Sequence, residues 1–147
     1  MCEAVKVANR LIRRFGTHDP FRICQDLNIR IGYADLAAVR GIFLRNYRRK
    51  QIYINSELQD SIKRQVCAHE LGHAVLHGKI NTYFLDHCTF SITNKIEVEA
   101  NIFAAQLLIT EPGDTLEQIA MANGLELAVV SCWEKTRFGQ TKNKPLE

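Results

Sequence analysis

The hydrophobic periodicity of the chain predicts an α+β fold, a small antiparallel sheet packed against helices. Three observations lead there. Both ends of the sequence carry apolar residues at helical spacing, the β-like runs are short and confined to residues 29–54, and no internal repeat is present. The 147 residues suffice for one core, and 46% hydrophobic with 24% charged residues is a globular composition.

Val5, Ala8, Leu11, Ile12 and Phe15 form the apolar stripe of a first helix over residues 3–16, closed by Gly16. Asp19-Pro20 reads as N-cap and first helical position of a short helix reaching about Asn28. Ile29-Arg30-Ile31-Gly32-Tyr33 alternates as a strand does. Gly41–Leu44 and Gln51–Ile54 are two further β-like runs, joined by the polar stretch Arg45–Lys50 as a hairpin with a loose turn. Ser56 can cap a long helix from Glu57 to His77, which Gly78 ends. After a looser stretch over 79–93, a helix is expected from about Lys95 to Ile109, stopped by Pro112-Gly113. Two helices fit 115–123 and 126–138 around Gly124. The chain thus divides into residues 1–114, a helix-turn-helix-like segment 115–138 packed on them, and a polar tail 139–147.

A net charge of +3 gives no reason to expect a nucleic-acid partner. Arg45, Arg48, Arg49 and Lys50 cluster as a charged hairpin tip would. Met1-Cys2-Glu3-Ala4 lacks the basic and apolar regions of a secretory leader, and no apolar run approaches the roughly 20 residues of a membrane span. The five cysteines are odd in number and scattered, which suits reduced thiols in a cytoplasm.

Chemistry concentrates in His69-Glu70-Leu71-Gly72-His73. Residues four apart share a helix face, so both imidazoles can point at one divalent ion. Glu70 sits about 100° round the axis, beside the ion's open position, where it can act as general base. The stripe Leu58, Ile62, Val66, His69, His73, Leu76 carries both histidines toward the core, where burial demands a partner for them. Zn²⁺ supplies that partner and needs a third protein ligand. His77 lies about 12 Å along the axis from His69, too far to converge, and is expected near the negative helix end. Glu97 is the leading third ligand, because it shares a face with Asn101, Ala104 and Leu108. Asn101 can orient the metal-binding groups by hydrogen bonding. Glu99 is the main rival, and His87 and Cys88 are minor candidates. The competing role for Glu97 is a capping box with Asn94.

His69–His77 together with Glu97-Val98-Glu99-Ala100-Asn101-Ile102-Phe103-Ala104-Ala105-Gln106-Leu107-Leu108 resembles the ImmA/IrrE family of zinc metallopeptidases. Ile52-Tyr53-Ile54-Asn55 is similar to the strand and helix entry of that family, and the resemblance spans most of residues 20–135. Its usual Leu-Leu-Met-Pro ending is here Leu107-Leu108-Ile109-Thr110-Glu111-Pro112. The resemblance implies a zinc site of two His and a Glu with Glu70 as base. It also implies cleavage of intracellular proteins, notably helix-turn-helix repressors of phages and mobile elements. Hairpin 41–54 could hold an extended peptide by strand addition. Tyr83 and His87 are the nearest residue types for stabilising an oxyanion.

Two readings compete with a peptidase. Residues 116–135 could form a DNA-binding helix-turn-helix, although its second helix begins Glu126-Leu127-Ala128-Val129 where base readout favours Arg, Lys, Asn or Gln. The other is a zinc-stabilised interaction domain, in which Glu70 would have no purpose.

Overall fold

The computed structural model describes residues 2–79 and 90–138, whose elements run α1 (Glu3–Phe15), α2 (Pro20–Asp26), β1 (Ile29–Ala34), β2 (Gly41–Asn46), β3 (Arg49–Asn55), α3 (Asp60–Leu76), α4 (Phe90–Leu108), α5 (Leu116–Asn123) and α6 (Leu127–Phe138). The fold is α+β, with helices packed on a three-stranded sheet of order β1-β3-β2. The sheet is mixed rather than antiparallel throughout: β2 pairs antiparallel with β3, but β1 pairs parallel with it. Residues Ala34 and Gly41 lie opposite Asn55 and Ile54, so the link 35–40 crosses over the end of β3 instead of turning back beside β1.

Asn55 holds that crossing in place. Its Nδ2 donates to the carbonyls of Ala37 and Val39, both at 3.0 Å, while Oδ1 accepts from the Glu57 amide at 3.1 Å. The last bond also explains why the next helix does not start at Glu57 with Ser56 as its cap. The amides after Asn55 are taken up by a turn, and α3 begins at Asp60 behind an extended Gln59. The β2–β3 turn is tight, not loose. Asn46 faces Arg49 across it, and Tyr47, at φ 54°, adopts the left-handed conformation that two-residue hairpin turns require.

Ile29, Phe43, Ile52 and Ile54 are buried, and α3 packs against β2 and β3. α3 is buried nearly all round rather than along one stripe, because it also meets α1, α2 and α4. Cys67 and Cys24 are both fully buried core thiols. Gly72 permits the close approach of α4: a Cβ there would stand 3.0 Å from the Phe103 ring and 3.3 Å from the Ala100 backbone. α4 starts at Phe90, five residues before the expected Lys95, so Asn94 is inside the helix and caps nothing.

α5 is capped by the Thr115 hydroxyl at one end and by left-handed Gly124 at the other. α5 and α6 contribute Ala120, Val129, Val130 and Trp133 to the same core as α3 and α4. No helix among the described residues is long and apolar enough to cross a membrane.

Candidate metal centre

Helical phase on α3 and the Gly72 contact with α4 bring three side chains to one point. The His69 Nε2 lies 3.0 Å from Glu97 Oε2, His73 Nε2 lies 3.1 Å from Glu97 Oε1, and the two Nε2 atoms are 3.1 Å apart. Donor atoms around a tetrahedral ion with bonds of about 2.0–2.1 Å stand about 3.3–3.4 Å from one another. The observed separations, with one Glu97 oxygen facing each imidazole, are within a few tenths of an ångström of that. Glu70 completes the cluster, with a carboxylate oxygen within 4.8 Å of the ligating nitrogens of both histidines.

The chemistry of the donor set points the same way. His69 Nδ1 lies 2.8 Å from Asn101 Oδ1, an acceptor, so Nδ1 carries the proton and a neutral ring presents the bare Nε2. Lone pairs and a carboxylate facing one another at such distances repel unless a cation lies among them. Two imidazoles and a carboxylate suit a divalent first-row ion. These residues therefore fit a metal.

The same negative surroundings that suit a cation also favour protonation of His69. Burial pulls the pKa of His69 down, but its hydrogen bond to Glu97 and the charges of Glu70 and Glu97 outweigh this and leave it raised. Burial lowers that of His73, and its Glu97 contact does not compensate, since the neighbouring His69 and His77 oppose a second charge. Glu97 loses some ionisation to burial but is held well below the usual carboxylate range by the two histidines. Metal therefore competes with a proton at His69. Affinity is expected to rise with pH by up to about tenfold per unit until it passes the raised pKa. Calorimetric titration in two buffers of different ionisation enthalpy checks this through the protons released, and affinity flat from pH 6 to 8 contradicts it. For the metal-free fold the sign is the reverse. The raised His69 stabilises fully below its ordinary pKa of about 6.5 and that contribution is lost as pH rises through the folded value.

The cleft over the cluster has a volume of about 410 Å³ and is walled by Arg40, Gly41, Gln65 and Val66 on one side and by Glu126, Ala128 and Val129 on the other. A larger cleft of about 530 Å³ beside Trp133 and Gln106 holds no comparable cluster among the described residues. Glu126 spans the two walls: its carboxylate is 2.7 Å from Arg40 Nη1 and accepts from Gln65 Nε2 at 2.6 Å. Its amide donates back to Gln65 Oε1 at 2.8 Å. Burial raises the Glu126 carboxyl, but its bonds to Arg40 and Gln65 prevail and hold it low.

Nothing in the sequence marks Arg40, Gln65 or Glu126 as part of the site, and Gly41 enters only within the hairpin 41–54. Only Gly41 offered a signal, a glycine opening a β-like run beside apolar residues. A Cβ on Gly41 would lie 2.5 Å from Val66 Cγ1 and 3.2 Å from Glu70 Cγ. Val66 is β-branched on a buried helix and cannot swing aside. Gly41→Ala is expected to destabilise by about 1–3 kcal/mol and to depress activity further by displacing Glu70. Urea denaturation with parallel rate measurements checks both, and a fully active, equally stable variant contradicts the packing argument.

Of the other candidates, Glu99 lies not at the ligating nitrogens but against His77, its Oε2 2.9 Å from His77 Nε2. His77 lies just past the last turn of α3, as expected, and contacts His73 through the two Nδ1 atoms at 3.3 Å. Tyr83, His87 and Cys88 lie outside the described residues.

Over 125 residues the chain is 37% identical to uncharacterized immunity region protein 2 of Bacillus phage phi105, covering 79% of each. Over 103 residues it is 34% identical to metallopeptidase ImmA of Bacillus subtilis strain 168, covering 69% of this chain and 60% of ImmA. Residues 24–125 match the Peptidase_M78 family model, the IrrE N-terminal-like domain, and that stretch holds the His69-Glu70-x-x-His73 helix, Glu97 and Asn101. With the match covering more than half of its residues, the chain belongs to this peptidase family, of the ImmA/IrrE metallopeptidase type.

Proposed function

We propose that the chain is a zinc-dependent endopeptidase that cleaves a protein substrate in the cytoplasm, a helix-turn-helix transcriptional repressor of a phage or mobile element. The observation that carries this reading is the convergence of His69 Nε2, His73 Nε2 and Glu97 at 3.0–3.1 Å with the Glu70 carboxylate beside them. The relative named for a phage immunity region supports a substrate that controls such genes. Free thiols at Cys2, Cys24, Cys67 and Cys132 suit a reducing compartment.

His69, His73 and Glu97 would hold the ion, and Asn101 keeps His69 turned toward it. When bound, zinc supplies Lewis acidity that polarises a carbonyl and makes water a better nucleophile at neutral pH. Glu70, 5% exposed, accepts the proton of the attacking water and delivers it to the amide nitrogen as the carbon–nitrogen bond breaks. Gly41 leaves room for that carboxylate. The substrate enters between β2 and the first turn of α6, where Arg40 and Glu126 stand at the mouth.

The placement of α6 weighs against DNA binding as the main activity. Val129, in the first turn of what would be the recognition helix, is buried, and it lines the metal cleft together with Ala128.

The test is incubation of the purified chain with zinc and full-length repressors from neighbouring genes, with cleavage followed by mass spectrometry. Cleavage that a chelator abolishes and zinc restores is expected. Stoichiometric zinc without cleavage of any repressor would overturn the substrate assignment, and absence of metal binding would overturn the enzyme.

A further inference from the structure

We infer that Glu99 and His77 form a relay that sets which nitrogen of His73 carries its proton, and so keep His73 Nε2 free to bind metal. The inference rests on the metal-site reading above and assigns positions to two residues which that reading leaves unused.

His73 is 1% exposed, so no bulk water can satisfy its second nitrogen. Buried metal-binding histidines usually donate that second N–H to a carboxylate, a backbone carbonyl or a water. Here the partner of His73 Nδ1 is another imidazole, His77 Nδ1, at 3.3 Å. A nitrogen–nitrogen contact has a direction only if something decides which ring donates. Glu99 decides it. Its Oε2 lies 2.9 Å from His77 Nε2, and a carboxylate only accepts, so the proton of a neutral His77 is on Nε2. His77 Nδ1 is then the acceptor, His73 Nδ1–H the donor, and His73 Nε2 is bare. Lys95 Nζ, 3.9 Å from Glu99 Oε1, leaves Oε2 to His77.

Backbone geometry makes this possible. His77 is the C-cap residue, at φ −128° and ψ 36°, and its amide still donates to the His73 carbonyl at 2.8 Å. Having left the helix, its ring is able to turn back against His73 and across to α4. His69 reaches the same tautomer through Asn101 alone. The histidines at 69, 73 and 77 thus share one spacing but divide into two that face the ion's place and one that directs its neighbour.

The test measures zinc affinity by chelator competition for the wild type, Glu99→Ala, His77→Phe and Glu99→Gln, with the metal-free melting temperature of each. Glu99→Ala and His77→Phe are expected to bind zinc about 10–100-fold more weakly. Glu99→Gln should bind as the wild type does, because its amide oxygen still accepts from His77 Nε2–H. Nitrogen-15 spectra of the zinc-loaded wild type should show the His73 proton on Nδ1. Unchanged affinity in both disruptive variants, or a His73 proton on Nε2, would overturn the relay. So would an equal loss in Glu99→Gln, or a loss matched in full by lower metal-free stability. If Glu97→Ala also binds as tightly as the wild type, the metal site itself is refuted and the relay falls with it.

Discussion

Glu70→Gln is expected to lower peptide-bond cleavage by about 10²–10⁴-fold while zinc remains bound. Glutamine has the shape of glutamate, so the packing beside Gly41 persists, but its amide cannot take a proton from water and release it to an amine. The expected signature is a fall in kcat with zinc stoichiometry and melting temperature close to wild type. This variant also separates the peptidase from a zinc-stabilised interaction domain, in which the substitution would leave partner capture unchanged and there would be no cleavage to lose. Cleavage at wild-type rate by Glu70→Gln would remove Glu70 from the chemistry.

Glu97→Ala is expected to abolish stoichiometric zinc, a larger loss than the roughly 10–100-fold that loss of an outer hydrogen-bonding partner costs. The carboxylate touches both Nε2 atoms, at 3.0 and 3.1 Å, so its removal leaves two neutral donors from adjacent turns of a single helix. Elemental analysis after gel filtration measures this directly. A second readout follows from proton binding, since the Glu97 hydrogen bond is the foremost influence raising the His69 pKa. The His69 titration in the metal-free variant should therefore move down. Full zinc occupancy in Glu97→Ala would show that the third ligand lies elsewhere.

Much of the fold is local in origin and was legible as such. The amphipathic stripe of α1, the Asp19-Pro20 start of α2, the alternation of β1 and the Gly124 break between α5 and α6 each depend on a few neighbouring residues. Element boundaries are not local where a distant group captures the backbone. Asn55 takes the amide of Glu57 and delays α3 to Asp60, and an unusual left-handed tyrosine closes the hairpin more tightly than the polar run suggested. The direction of β1 was not legible either, because its parallel pairing depends on the path of the link 35–40 over β3.

By itself, then, the sequence determined the α+β class and the helical phase that puts His69 and His73 on one face with Glu70 beside them, since a rise and rotation per residue suffice for that. It also nominated Glu97 and Asn101 from their common face on the next helix. Tertiary structure alone decided that Glu97, and not Glu99, reaches both imidazoles, because that depends on how closely α4 approaches Gly72. It alone brought Arg40, Gly41, Gln65 and Glu126 from separate elements to the walls of the cleft. Convergence of residues distant in sequence is a property of packing, and no periodicity along the chain encodes it.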